Sequence, residues 1–175
     1  ANIVSNYANS RGESYTFRSP YRLDRDTSGI ILIAKDIITY SLLGDIQKTY
    51  YAICEGKLED CGTISEPIAL KAGSSMVRCV APDGKPAVTH YEVIRSFDDH
   101  SYISLHLETG RTHQIRCHMS SIGHPLLGDD LYGGDLSLIQ RHALHCGKVS
   151  FDHPIDHKAM TLESPLPADM RRLVE

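Results

Sequence analysis

Apolar residues fall along this chain mostly in short strand-like runs, and few stretches keep a helical period. Residues 29–34 form a continuous, mainly β-branched run that predicts a buried strand. Residues 49–55 and 143–151 predict two more strands, and residues 159–163 another. Residues 64–80 predict two short strands broken at Lys71, Ala72, Gly73 and Ser74. Residues 87–96 and 102–108 predict a strand pair joined through Phe97, Asp98, Asp99 and His100. Helical signals are fewer. Residues 36–46 predict a short helix capped by Asp36, and residues 167–174 a terminal one. Residues 112–122 predict a helix between Gly110 and Gly123, with Ile115, Met119 and Ile122 at i, i+4 and i+7 as one buried stripe. Residues 1–19 are polar and turn-rich. The sum is α+β, with a mixed, mainly antiparallel sheet and flanking helices. No repeat or linker divides it, so residues 1–175 are expected to form a single domain.

Composition narrows the classes. Hydrophobic residues make up 41% and charged residues 23%, which fits an ordinary soluble globular chain. The longest apolar run, residues 30–34, is too short to cross a bilayer. The first residues lack the features of a signal peptide, so a cytoplasmic location without membrane association is expected. Five cysteines, an odd number with no C-x-x-C spacing, argue against a disulfide framework and a zinc site. A net charge of −4 is low for a non-specific nucleic-acid binder but leaves room for a basic cleft.

Three segments can carry chemistry. In Arg22-Leu23-Asp24, an extended chain points Arg22 and Asp24 to the same side, at the mouth of a strand. That suits a carboxylate nucleophile, although a solvated loop with an incidental ion pair explains the same residues. In the stretch Thr109-Gly110-Arg111-Thr112-His113-Gln114-Ile115-Arg116, Arg116 lies about 100° round the helix from Ile115. An arginine at the edge of a buried stripe can reach a cleft and hold a carboxylate, or simply close a polar helix start. Tyr50 and Tyr51 face opposite ways on a strand, so one can enter a cleft and stack on a base while the other packs. Spacing of His113 and His118, and of His142, His145 and Cys146, gives no good metal site. No nucleotide-cofactor, serine-hydrolase or zinc-protease motif is present.

Four blocks in order resemble the RluA family of pseudouridine synthases. Arg22-Leu23-Asp24-Arg25-Asp26-Thr27-Ser28-Gly29 resembles the family's nucleophile motif. Lys48-Thr49-Tyr50-Tyr51-Ala52 with Glu55-Gly56 resembles its tyrosine motif. The stretch from Thr109 through Arg116 and Gly123-His124-Pro125 to Gly128-Asp129 and Leu131-Tyr132-Gly133 resembles its third block. Arg141-His142-Ala143-Leu144-His145 and Phe151-Asp152-His153-Pro154 resemble a fourth.

The resemblance implies a synthase fold with a central cleft, acting on uridines in structured RNA, ribosomal or transfer, with no cofactor or metal. It implies catalytic roles for Asp24, Tyr50 and Arg116. Asp24 would be the nucleophile, Tyr50 would contact the base and assist proton removal, and Arg116 would be the basic partner of Asp24. Arg22, Arg111, His113 and Gln114 are the implied substrate-binding residues, with Arg22 helping to displace the base. A monomer is expected. Tyr21 stands where the family usually has histidine, and residues 35–48 are shorter than usual. The family's opening strands are not recognisable upstream of Arg22, and no S4-type domain is visible. Two rival readings are a non-catalytic RNA-binding factor and a hydrolase using Asp24 with Asp26 or Glu108.

Overall fold

A computed structural model describes residues 2–14 and 16–175. Nine strands are present among these residues: β1 (Ser28–Gly29), β2 (Ile46–Glu55), β3 (Cys61–Ser65), β4 (Ile68–Leu70), β5 (Arg78–Val80), β6 (Val88–Ser96), β7 (His100–Leu107), β8 (Leu144–Asp152) and β9 (Ala159–Glu163). The α-helices are α1 (Asn2–Ser10), α2 (Ile37–Leu42), α3 (Gln114–Ser121) and α4 (Ala168–Arg171). The main sheet runs β1-β8-β2-β7-β6-β3, and β9 also pairs with β8. Only the β1–β8 pair is parallel among the described strands. β4 and β5 form a separate hairpin.

β2 lies in the middle and sorts its side chains by the two-residue period of a strand. Tyr50, Ala52 and Cys54 point to the face covered by α3, where they meet Ile103, Leu105, Ile115 and Met119. Ile53 points to the other face and joins Leu127, Ile139, Ala143 and Met170 of α4. Each large side chain so buried stabilises the fold by about 1.5–3 kcal/mol before entropy is counted.

Several elements differ from expectation. The predicted strand over residues 29–34 shrinks to β1, whose Gly29 lies against Cys146. A Cβ on Gly29 would strike the Cys146 carbonyl, and its φ of +120° suits glycine alone. Beyond the Ile30 N–H bond to the Cys146 carbonyl the chain leaves the sheet. Ile30 and Leu32 still pack on the core, whereas Ile31 is exposed. Residues 2–10, read as turn-rich, form α1, which buries only Ala8. Within residues 64–80 the expected break at residues 71–74 falls between β4 and β5, while a further strand, β3, begins earlier at Cys61 and ends at Ser65. Asp36 does cap α2, accepting from the Thr39 N–H, but that helix ends at Leu42 because residues from Ile46 join the sheet. In α3 all six residues from Gln114 to Met119 are buried, while Ile122, assigned to the stripe, is exposed. The helix is enclosed on several sides, so no single stripe describes it.

Candidate active site

The segment before β1, the start of β2 and the N-terminus of α3 enclose a cleft of about 610 Å³. Arg22, Asp24, Lys48, Tyr50, Arg111, His113, Gln114 and Arg116 all line it. Asp24 opens a tight turn in which the Thr27 N–H bonds its carbonyl at 3.0 Å. That turn holds the Asp24 side chain inward, with only 19% of it exposed. Asp26 faces away and is held by Arg25 at 2.9 Å.

Arg116 is the electrostatic centre. It is 6% exposed, and its guanidinium is shared between two carboxylates. Nε and Nη2 each donate to Asp129 at 2.7 Å, a bidentate pair. Nη1 lies 3.7 Å from Asp24 Oδ2, within ion-pair reach but beyond a hydrogen bond. The Tyr132 ring lies 5.0 Å from the guanidinium carbon. Asp129 follows Gly128, whose φ of +73° and contact with the Ile139 and Arg141 carbonyls leave no room for a Cβ. The loop that carries Asp129 is therefore fixed by backbone packing.

Tyr50 sits beside this pair. Its register on β8 shifts between Thr49 and Tyr50, which pair with Lys148 and Cys146 and leave Gly147 as the extra residue of a bulge. Bulges re-aim neighbouring side chains, and here Tyr50 reaches the cleft floor. Burial raises the Tyr50 pKa above the ordinary phenol value, and the Asp24 charge raises it further. Tyr50 is therefore a protonated ring at neutral pH, set at the floor of the cleft. Tyr51, on the other face, packs near Tyr102 with ring centroids 6.0 Å apart.

The four residues expected to bind substrate take different stations. Arg22 and Arg111 are exposed at the cleft wall, with Arg111 Nε donating to the Pro86 carbonyl at 2.9 Å. His113 precedes α3 with φ +57°, a conformation uncommon outside glycine. Its Nδ1 lies 3.0 Å from the Tyr132 hydroxyl. Gln114 is 2% exposed, and both ends of its amide are engaged inside the protein. Its Oε1 accepts from Thr109 and the Arg111 N–H, and its Nε2 donates to the Val88 carbonyl and Thr89. Gln114 thus shapes the turn that carries Arg111 and His113.

Sequence reasoning passed over four contributors. Asp129 and Tyr132 lay inside the third block without a role, although an aspartate after a Gly-rich turn was a visible sign. Lys48 places its ammonium 4.9 Å from the Tyr21 ring centre at the cleft edge. His142, bonded to Thr27 at 2.8 Å, is kept neutral: burial first, and then Arg116, lower its pKa to about 4. Among the described residues no group of His, Cys, Asp or Glu has the arrangement of a metal site. No helix of the described residues is long and apolar enough to cross a membrane.

Comparison with known proteins places the chain in a family. Residues 2–121 match the family model described as RNA pseudouridylate synthase. The chain is 44% identical over 182 residues to the uncharacterized RNA pseudouridine synthase YjbO of Bacillus subtilis, covering 100% of this chain and 64% of that protein. It is 38% identical over 175 residues to ribosomal large subunit pseudouridine synthase D of Escherichia coli, covering 89% and 54%. Human RNA pseudouridylate synthase domain containing 1 superposes with a TM-score of 0.73 at 27% identity, over 91% of this chain and 79% of that one. The chain thus spans less than two thirds of the length of the curated relatives it matches. With the blocks around Asp24, Tyr50 and Arg116 folded into one cleft, and the family model matched over most of its length, the chain belongs to the RNA pseudouridylate synthase family.

Proposed function

We propose that this chain isomerises uridine to pseudouridine in structured RNA, with Asp24 as its nucleophile. The observation that carries the reading is the Asp24 carboxylate at the cleft floor, 3.7 Å from an arginine that a second, buried carboxylate holds in place. The bidentate bond to Asp129 keeps Arg116 from engaging both Asp24 oxygens. Those oxygens remain available for reaction. In the reaction the N1–C1′ bond breaks and a C5–C1′ bond forms. The C5 proton departs and N1 gains one, so no redox partner or cofactor is needed.

The target base has to leave its stack, at a cost of a few kcal/mol. Arg22, exposed beside Asp24, is placed to occupy the vacated space, and the buried Tyr50 ring packs against the incoming base. Arg111 supplies charge for the phosphate backbone at the cleft wall. Similarity to ribosomal large subunit pseudouridine synthase D favours ribosomal RNA over transfer RNA as the substrate. The rival hydrolase needs a second free carboxyl group near Asp24. Asp26 is held outside by Arg25, and Glu108 is bonded to His90 at 2.8 Å.

The test uses large-subunit ribosomal RNA and transfer RNA transcripts carrying tritium at uridine C5. Wild-type protein is expected to release tritium from the ribosomal transcript, and Asp24→Asn to lower the rate by at least about 10³-fold, the scale of losing a nucleophile. Equal release by both proteins overturns the assignment of Asp24. Free uracil among the products would favour the hydrolase.

A further inference from the structure

His113 combines three features that its place in the chain does not require. It holds a left-handed backbone, φ +57°, at a position where glycine or asparagine would be unstrained. It does not cap α3 with its side chain. It lines the cleft, near enough to Asp24 and Arg116 for both charges to act on its ring.

The hydrogen bonds around it favour one tautomer. The Tyr132 hydroxyl oxygen accepts the Arg78 N–H at 2.9 Å, and the same hydroxyl meets His113 Nδ1 at 3.0 Å. Burial pushes the Tyr132 phenol up to about 12, so it keeps its proton at neutral pH. Burial also lowers the His113 pKa, which favours the neutral ring. A neutral imidazole that accepts the Tyr132 proton at Nδ1 carries its own proton on Nε2. Tyr132 is itself anchored, because its carbonyl accepts from Ser120 of α3 at 2.8 Å. In that form the ring presents one N–H donor to a cleft that mixes charged side chains with neutral polar ones.

Uracil offers carbonyl oxygens at C2 and C4, whereas cytosine carries an amino group at C4. During isomerisation the ring turns about its C6–N3 axis. N1 and C5 exchange places, and so do C2 and C4. A fixed donor facing O4 of uridine thus faces O2 of pseudouridine, and it is satisfied at both ends of the rotation. The same donor meets the amino group of cytosine, and both are left unpaired. We propose that His113 is a base-reading residue whose Nε2–H, oriented by the Tyr132 hydroxyl, donates to the C4 carbonyl of the target uracil before rotation and to the C2 carbonyl after it. This rests on the synthase activity proposed above.

The test separates a donor from a space-filling ring. With the tritium-labelled ribosomal transcript, His113→Ala and His113→Phe are both expected to lower kcat/KM by roughly tenfold or more, the worth of one buried hydrogen bond. His113→Gln, whose amide N–H can stand near the Nε2 position, is expected to stay within about threefold of wild type. A merely structural ring would give the opposite order, with phenylalanine tolerated and glutamine not. Nitrogen-15 NMR of histidine-labelled protein gives an independent reading that needs no RNA. His113 is expected as the neutral Nε2–H form in wild type and to lose that preference in Tyr132→Phe. An active His113→Phe, an inactive but folded His113→Gln, or a proton on Nδ1 in wild type overturns the inference. Wild-type protein that releases no tritium overturns the activity itself, a distinct result.

Discussion

At the scale of single residues, the site is organised by one arginine between two carboxylates. Asp129 is wholly buried and takes two donors of Arg116, while Asp24 faces the third nitrogen at 3.7 Å. Removing one partner of such a buried pair leaves a desolvated charge, which destabilises strongly. Asp129→Ala is expected to lower stability by about 3–5 kcal/mol, read from urea denaturation. The milder Asp129→Asn is expected to fold and to bind RNA nearly as well as wild type while turning over more slowly, since Arg116 is then free to close on Asp24. Unchanged turnover in folded Asp129→Asn would show that Arg116 needs no second anchor. Asp24 and Arg116 were legible in the sequence because they sit in distinctive blocks. Asp129 stands in the third block, but its role depends on a contact across thirteen residues that no spacing rule describes.

At the scale of elements, the site depends on irregular pieces rather than on long helices or strands. The bulge at Gly147 aims Tyr50, and the loop through Gly128 delivers Asp129. Gly128 has φ +73°, and a Cβ there would press on the Ile139 and Arg141 carbonyls. Those are backbone atoms and cannot rotate away. Gly128→Ala is expected to destabilise by about 2 kcal/mol or more and to shift Asp129, with melting temperature and tritium release falling together. Retained melting temperature would mean that the loop adjusts. The pattern of apolar residues located β2, β6, β7, β8 and β9 within a few positions, since each has a clear period or a clear boundary. It missed α1, which buries only Ala8, and over-extended β1, whose apolar residues pack on the core after leaving the sheet.

At the scale of the whole molecule, charge and titration set the working conditions. The net charge is −4, yet Arg22, Lys48, Arg111 and Arg116 line one cleft beside Asp24, Asp45 and Glu108, so basic charge is gathered locally on an acidic body. Four histidines, His113, His118, His142 and His145, have pKa values lowered chiefly by burial, with His142 near 4. The unfolded chain therefore binds more protons than the folded one below about pH 6.5. Their stabilisation is complete above that pH and is lost as pH falls, for His142 towards about 4. His142 alone accounts for on the order of 2–3 kcal/mol. The melting temperature is expected to fall between pH 7 and pH 5, and His142→Gln to flatten that slope. A pH-independent melting curve would contradict the burial of these rings. The sequence by itself determined the class of fold, the order of the four blocks and the choice of Asp24, Tyr50 and Arg116 as site candidates, because local periodicity and motif identity are written in neighbouring positions. Tertiary structure alone decided that Asp129 holds Arg116, that Gln114 is turned inward and that Tyr132 fixes His113, because hydrogen-bond partners are chosen by packing in space and not by separation along the chain.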